Sequence, residues 1–278
     1  MDARGFPRAN RNRALTIRHR GFETRDRKQW YVTHSYAVSV VVPTYNEAGG
    51  IEKLIAALSG VFQRTGVDGE IVIVDDNSPD GTGAIVDELA GRYACRCVHR
   101  TGKLGLASAV IDGWKTCTSP ILGVMDADFS HDIEIVPQLI GALTSGEFDL
   151  AIGSRYVRGG GITNWPWRRR VTSRVAIMLA QPLTPVRDIT SGFLFFRREV
   201  IDGVELDPIG FKIGLEVVMK GKYRKVTEVP YVFTDRTHGE SKLNSGEIFN
   251  YLKQLSKMYF GGARPHSASA GAPARGRE

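Results

Sequence analysis

Cysteine is scarce: Cys95, Cys97 and Cys117 are the only three in 278 residues. An odd number cannot close a disulfide framework, and no second ligand pair accompanies Cys95 and Cys97 to make a finger-type metal site. The expectation is a reduced, cytoplasmic chain. Long apolar runs are missing as well; nothing approaches the roughly 18 consecutive apolar residues of a bilayer-spanning helix. The N-terminal stretch is rich in arginine and lacks the apolar segment of a signal peptide. Two phosphate-binding signatures are absent, G-x-x-x-x-G-K-[ST] and a G-x-G-x-x-G after the first strand. Their absence speaks against a P-loop enzyme and against a dinucleotide-dependent dehydrogenase.

Acidic residues are few only at the two ends. The formal charge is +7, yet residues 1–36 carry a net +6 and residues 261–278 a net +2, leaving the segment between them near neutral. The basic pI therefore describes the ends rather than a folded body, and no nucleic-acid partner is expected. Residues 1–36 show no sustained hydrophobic period and read as a basic, disordered extension; residues 261–278, rich in Gly, Ala, Pro and Ser, read as a flexible tail.

Between the ends the pattern alternates. Apolar runs at 38–42, 70–74, 121–125 and 148–152 have the Val/Ile richness of strands buried on both faces. Amphipathic stretches near 49–64, 80–93, 104–117 and 133–145 separate them. That order predicts an α/β fold with a mostly parallel open sheet and helices on both faces. After Ser154 come a Gly-rich loop at 158–161, a helix carrying Arg168, Arg169, Arg170 and Arg174, and a strand at 192–197. A short helix near 211–221, a strand near 226–235 and a final helix near 245–260 complete the body. Residues 37–155 are taken as a Rossmann-like nucleotide-binding half and 156–260 as an acceptor-binding half of one domain.

Ligands of open parallel sheets bind beyond the carboxyl ends of the strands. Three polar clusters fall at such ends: Pro43 to Glu47, Asp75 to Thr82, and Asp126, Ala127, Asp128. Each alone could be a turn with a helix cap. Together they build one acidic mouth. Alternation along an extended chain aims Asp126 and Asp128 the same way, and two adjacent carboxylates are costly to hold together without a cation. Hard oxygen donors suit Mg²⁺ or Mn²⁺. The competing reading has Asp126 ending a strand and Asp128 capping the next helix.

At this point the motifs carry a resemblance. Val41 to Glu47 (VVPTYNE), Val74 to Thr82 (VDDNSPDGT), Gly102 to Leu106 (GKLGL), Met125 to Asp128 (MDAD) and Gly153 to Tyr156 (GSRY) resemble inverting glycosyltransferases of the GT-A fold. Ile162 to Pro166 (ITNWP), Arg169 with Ser173, Thr190 to Phe193 (TSGF) and Asp235 to Lys242 (DRTHGESK) make the chain most similar to dolichol-phosphate (polyprenol-phosphate) mannose synthases. The likeness covers about 38–260, in order. It implies that Pro43, Tyr45, Glu47, Val74 and Asp76 hold the nucleoside of GDP-mannose. It implies that Asp126, Ala127 and Asp128 hold the sugar nucleotide and its divalent metal. Ser130 stands where relatives often place a Gln metal ligand, and is a poorer donor. Arg236 and Lys242 would grip the diphosphate, while Arg155, Arg169 and Ser173 would seat the phosphate of the lipid acceptor. The resemblance does not reach residues 1–36.

A phosphate acceptor is already largely dianionic near neutral pH, so the nucleophile needs no general base. The expectation is a single in-line displacement with inversion. Two other readings stay open: transfer of another sugar, such as glucose from UDP-glucose, and a non-catalytic nucleotide-sugar-binding subunit. Arg155 could instead pair with a core carboxylate, Arg168 and Arg170 read as a solvated helix face, and His131 and His238 as surface or loop residues. Trp165, Trp167 and the arginines that follow, ahead of Val171, Val175, Ile177, Met178 and Leu179, suggest peripheral attachment to the cytoplasmic membrane face. The stripe Ile248, Tyr251, Leu252, Leu255, Met258 and Tyr259 of the final helix would pack on the body or dock a small membrane-anchoring partner.

Overall fold

The computed structural model describes residues 36–207, 212–234, 245–260 and 269–270, with 245–249 and 269–270 as backbone only. The expected extension 1–36 (Tyr36 apart), most of the tail 261–278, and the segment bearing Arg236, His238 and Lys242 lie outside the described residues.

The first half runs β1 (Val38–Thr44), α1 (Ile51–Thr65), β2 (Gly69–Asp75), α2 (Thr82–Leu89), β3 (Cys95–His99), α3 (Leu106–Thr116), β4 (Ile121–Val124), α4 (Val136–Thr144) and β5 (Leu150–Ser154). The second half runs β6 (Gly161–Thr163), α5 (Trp167–Ala180), β7 (Leu194–Arg197), α6 (Ile213–Lys220), β8 (Lys225–Pro230), β9 (Val232–Thr234), α7 (Ser245–Phe260) and the two-residue β10 (Ser269–Ala270). The main sheet has the order β10-β8-β5-β7-β4-β1-β2-β3. It is parallel except for β7, which runs antiparallel between β4 and β5. A second small sheet pairs β6 with β9.

Burial on both faces explains why these strands are apolar without alternation. In β1 and β2, Val40, Val42, Ile71 and Ile73 face one core with Ile51, Leu54, Ile55 and Leu58 of α1 and Val86 of α2. Val41, Val72 and Val74 face the other core, with Val110 and Trp114 of α3 and Tyr251, Leu255 and Met258 of α7. The packing reading of the final helix is therefore observed for those three residues, while Leu252 and Tyr259 of the same stripe are exposed. β7 brings Phe193 and Phe195 over glycines of its neighbours: a Cβ at Gly153 would meet the Phe193 ring at 2.6 Å and one at Gly123 the Phe195 ring at 2.4 Å.

Three features depart from the sequence reading. β3 was not foreseen; it is the sheet's edge strand, and only Cys95 of its five residues is buried. The antiparallel direction of β7 has no counterpart in hydrophobic period. The single strand expected near 226–235 divides at Tyr231, whose N–H still reaches the Ser154 carbonyl of β5 at 3.1 Å while its carbonyl already accepts the Gly161 N–H of β6 at 3.0 Å. The consequence for function is that β1, β2 and β4 all end on one edge, with the β6–β9 ribbon beside it.

Candidate active site

The β1 and β2 part of this edge is built from loops that hold one another. Asn46 and Asn77 sit in left-handed conformations, which Asn tolerates better than most residues. The β1–α1 loop then gives its N–H groups to the β2–α2 loop: Asn46 to the Ser78 hydroxyl, Glu47 to the Thr82 hydroxyl and Ala48 to Asp80, each at 3.0 Å. Burial works to raise the Asp80 pKa, but the Thr82 hydroxyl and the N–H groups of Ala48 and Thr82 outweigh it and hold the carboxyl below its ordinary value. Asp75 accepts from Thr44 and from the N–H and hydroxyl of Ser78. Much of the acidic cluster at 75–82 is thus bracing.

Asp76 is buried, ion-paired to Arg100 and hydrogen-bonded by the N–H of Gly105 at 3.0 Å. Arg100 goes on to the Ser108 hydroxyl at 2.8 Å and to Asp112 at 3.2 Å. The sequence reading missed Arg100. Gly102 to Leu106 proves to be the entry to α3, and it also carries Lys103 to 3.8 Å from the centre of the Tyr45 ring, a cation–π contact across the mouth. Tyr45 is exposed, and Pro43 and Glu47 are half-buried. Val74 is fully buried in the core, so its side chain shapes the strand end without lining the mouth.

Asp126, Ala127 and Asp128 follow β4. Asp126 and Asp128 are partly exposed and Ala127 between them is buried in the core. One Asp128 oxygen accepts the N–H of Ser130 at 3.0 Å across Phe129, whose φ of 56° makes the turn. His131 is not a surface residue, as the sequence suggested. It is buried, stacked at 4.7 Å on Phe193 and edge-on to Tyr231 and Phe233. Its Nδ1 accepts the Asp126 N–H at 3.2 Å, so the ring is the tautomer protonated at Nε2, which lies 3.8 Å from the Asp126 carboxylate. Burial lowers the His131 pKa, against the opposing pull of Asp126 and Asp128, which keeps the imidazole neutral.

The donor set fits a hard divalent cation. Two partly exposed carboxylates flank the buried Ala127, and the buried Ser130 hydroxyl close to Asp128 has no hydrogen-bond partner among the described residues, an orphaned oxygen. Asp126 and Asp128 would hold the ion, with Ser130 as the neighbouring oxygen.

A second cluster turns on Arg155. Its Nε and Nη2 fork onto the Asp188 carboxylate at 2.8 and 2.7 Å, and Nη2 also reaches the Thr190 hydroxyl at 2.9 Å. Both partners of the ion pair are buried. Burial alone would lower the arginine pKa; Asp188 outweighs it and raises it. This is the core-carboxylate pairing that stood open beside a phosphate role. Asp188 itself takes position from Glu228, which accepts the N–H groups of Arg187 and Asp188 at 2.9 Å. The guanidinium lies 5.5 Å from Trp165 and 5.6 Å from Phe233, while Arg169 covers Trp165 from 4.1 Å. The Ser173 hydroxyl accepts from Tyr156 at 2.8 Å, leaving its own proton to donate. Arg155, Arg169 and Ser173 are thus joined through Trp165 and Tyr156. The motif at 190–193 is absorbed: Thr190 holds Arg155, Ser191 bonds the Gly153 carbonyl at 2.7 Å and Phe193 carries His131.

Truncating Asp188 strands a buried guanidinium. Asp188→Ala is expected to cost about 3–5 kcal/mol in urea unfolding, and the apolar pair Arg155→Met with Asp188→Leu to recover much of it. A loss under about 1 kcal/mol for Asp188→Ala would contradict the buried pairing.

Comparisons with known proteins give the family. The family model described as Glycosyl transferase family 2 matches residues 39–204. A dolichol-phosphate mannosyltransferase of Pyrococcus furiosus is 46% identical over 225 residues, covering 80% of this chain and 63% of the relative; the chain thus spans just under two thirds of that protein. A dolichol-phosphate mannosyltransferase of Saccharomyces cerevisiae is 39% identical over 236 residues, covering 81% of this chain and 88% of the relative. Among solved structures, a mannosyltransferase from Pyrobaculum calidifontis in complex with GDP-Man and Mn²⁺ superposes with a TM-score of 0.57 at 18% identity, over 88% of this chain and 72% of that one. That match bears on the fold. The family match and the identity to named relatives show that the chain belongs to glycosyl transferase family 2.

Proposed function

We propose that this protein transfers mannose from GDP-mannose to a dolichyl or polyprenyl phosphate, with inversion, giving a β-linked polyprenyl phosphate mannose. The observation that carries the reading is the placement of the Asp126–Asp128 pair between the donor-side loops and the joined Arg155, Arg169 and Ser173. The names of the relatives supply the substrate class, and the Pyrobaculum structure supplies the precedent for donor and metal.

A divalent cation held by Asp126 and Asp128, Mg²⁺ or Mn²⁺, would neutralise the departing diphosphate. The chain's own groups do the rest. Tyr45, Glu47 and the braced loops behind them shape the nucleoside side. Arg236 and Lys242, outside the described residues, are proposed on the diphosphate from the resemblance alone. On the acceptor side the dianionic phosphate is its own nucleophile, so the site needs to hold it rather than deprotonate it. Arg155 supplies a fixed positive charge whose Nη1 is not used by Asp188 or Thr190. Arg169, steadied on Trp165, and the Ser173 hydroxyl supply further donors suited to phosphate oxygens. No residue stands as a covalent nucleophile in this scheme, which is why inversion follows.

The assay is incubation with labelled GDP-mannose, Mg²⁺ and a short polyprenyl phosphate, with UDP-glucose as competitor. Mannosyl lipid of β configuration is expected, with Asp128→Ala at least 10²–10³-fold slower, on the order of the loss of one electrostatic group. Glucosyl lipid instead would favour the second donor; turnover with retained configuration, or none at all, would refute the proposal.

The lipid acceptor brings the protein to a membrane surface, which we place on the cytoplasmic face. Among the described residues no helix is long and apolar enough to cross a membrane. Trp165 is buried and unavailable, a correction to the expected pair of interfacial tryptophans. Trp167, Val171, Val175, Met178 and Leu179 of α5 are exposed, interleaved with the exposed Arg168, Arg170 and Arg174. Next to them α7 docks through Tyr251 and Tyr259, whose hydroxyls bond the Ala176 and Leu179 carbonyls at 2.6 Å, and exposes Phe260. Aromatic and aliphatic groups among cations suit an interface with anionic lipid. The protein is expected to float with anionic liposomes at low salt, and less so at high salt or as Trp167→Ser with Met178→Ser. Recovery of the wild type in the lipid-free fraction at low salt would contradict this attachment.

A further inference from the structure

The far edge of the sheet holds a cluster that the transferase reaction does not use. Cys97 and His99 are two residues apart on β3, so their side chains leave the strand on the same face. α2 covers that face. Gly83 and Asp87, one turn apart, lie on the same side of α2. A Cβ at Gly83 would come within 2.8 Å of the His99 ring, so a glycine there lets the imidazole lie against the helix. Asp87 then stands 2.9 Å from His99 Nε2, and the Cys97 sulfur 3.9 Å from Nδ1. One ligand atom from each of the three residues lies within 4.8 Å of the others.

We propose that Cys97, His99 and Asp87 form a second metal site, separate from Asp126 and Asp128, that takes Zn²⁺ or a similar borderline-soft divalent ion. A sulfur, an imidazole and a carboxylate make a donor set for Zn²⁺, whereas Mg²⁺ and Mn²⁺ favour all-oxygen sites. Three protein ligands with the fourth position left to water is a common zinc arrangement. Asp87 and His99 are exposed and Cys97 half-buried, so an ion can enter from solvent. Burial, with Asp87 and Asp75 adding to it, pushes the Cys97 thiol up to about 12. Without an ion the sulfur is protonated at neutral pH. A cation relieves the same negative surroundings: the sulfur–metal bond forms as the S–H bond breaks, and the proton passes to solvent. The sequence offered no second ligand pair beside Cys95 and Cys97; here the company of Cys97 is His99, two residues away, and Asp87 from the helix.

The site has a structural setting. His99 pairs in the β ladder with Asp75, whose carboxylate holds Ser78 in the loop that braces the donor side. An ion on Cys97, His99 and Asp87 ties edge strand β3 to α2 directly behind that loop, so binding is expected to raise the unfolding temperature by mass action.

The test is titration of the reduced full chain with Co²⁺ in excess Mg²⁺. A thiolate-to-cobalt charge-transfer band saturating at one ion per chain is expected, with release of a proton and displacement by Zn²⁺. The band should persist in Asp126→Asn and in Cys117→Ala, vanish in Cys97→Ser and need roughly tenfold more Co²⁺ or beyond in Asp87→Asn. X-ray absorption of the zinc-loaded wild type does not depend on the variants folding, and should show one sulfur at about 2.3 Å. No thiolate band in the wild type, a band surviving in Cys97→Ser, or a zinc shell of oxygen and nitrogen alone would overturn the site.

Discussion

Like charges held side by side are the constraint on which the rest of this molecule depends. Asp126 and Asp128 follow the fully buried strand β4, two residues apart, and any repulsion between them must be tolerated by the fold before a ligand arrives. The structure meets it with local geometry. Ala127 is locked into the core, the Ser130 N–H takes one Asp128 oxygen, and a neutral, buried His131 meets Asp126 from beneath. What remains is a strongly negative strand end facing a mouth where a cation and a diphosphate can neutralise it.

The opposite wall solves the opposite problem. A guanidinium offered to a phosphate must be fixed without being neutralised beyond use. Arg155 is buried and forked by Asp188 and Thr190, and Asp188 is in turn positioned by Glu228. Breaking such a pair is more destabilising than never having built it, so Arg155 serves the fold beside the acceptor role proposed for it. Arg169, by contrast, rests on the aromatic face of Trp165, so the two arginines differ in what each is packed against. The β6–β9 ribbon joins the two walls, since the Thr234 N–H reaches the Ser130 carbonyl at 3.3 Å.

How much of this was legible in the sequence depends on where each residue's partner lies. Runs such as 38–42 and 70–74 announce strands because both faces of the sheet are covered. β3 was hidden because an edge strand half in solvent, Cys95 to His99, has no apolar run to show. The Asp188 that holds Arg155 is 33 positions away and the Arg100 that holds Asp76 is 24 away; no local pattern links such pairs. His131 was misread for the same reason, since its burial is made by Phe193, Tyr231 and Phe233 from distant strands. Val74 fell to the core for a simpler reason: a side chain on an inner strand of a two-sided sheet faces one core or the other.

The most direct measurement of the central claim is paramagnetic resonance of Mn²⁺ titrated into the protein with and without GDP. If the acidic pair holds a cation that in turn meets the diphosphate, one Mn²⁺ per chain should tighten when GDP is added, and that coupling should vanish when both Asp126 and Asp128 are changed to Asn. Mn²⁺ and GDP binding that are independent of each other, or coupling that survives the double change, would contradict it.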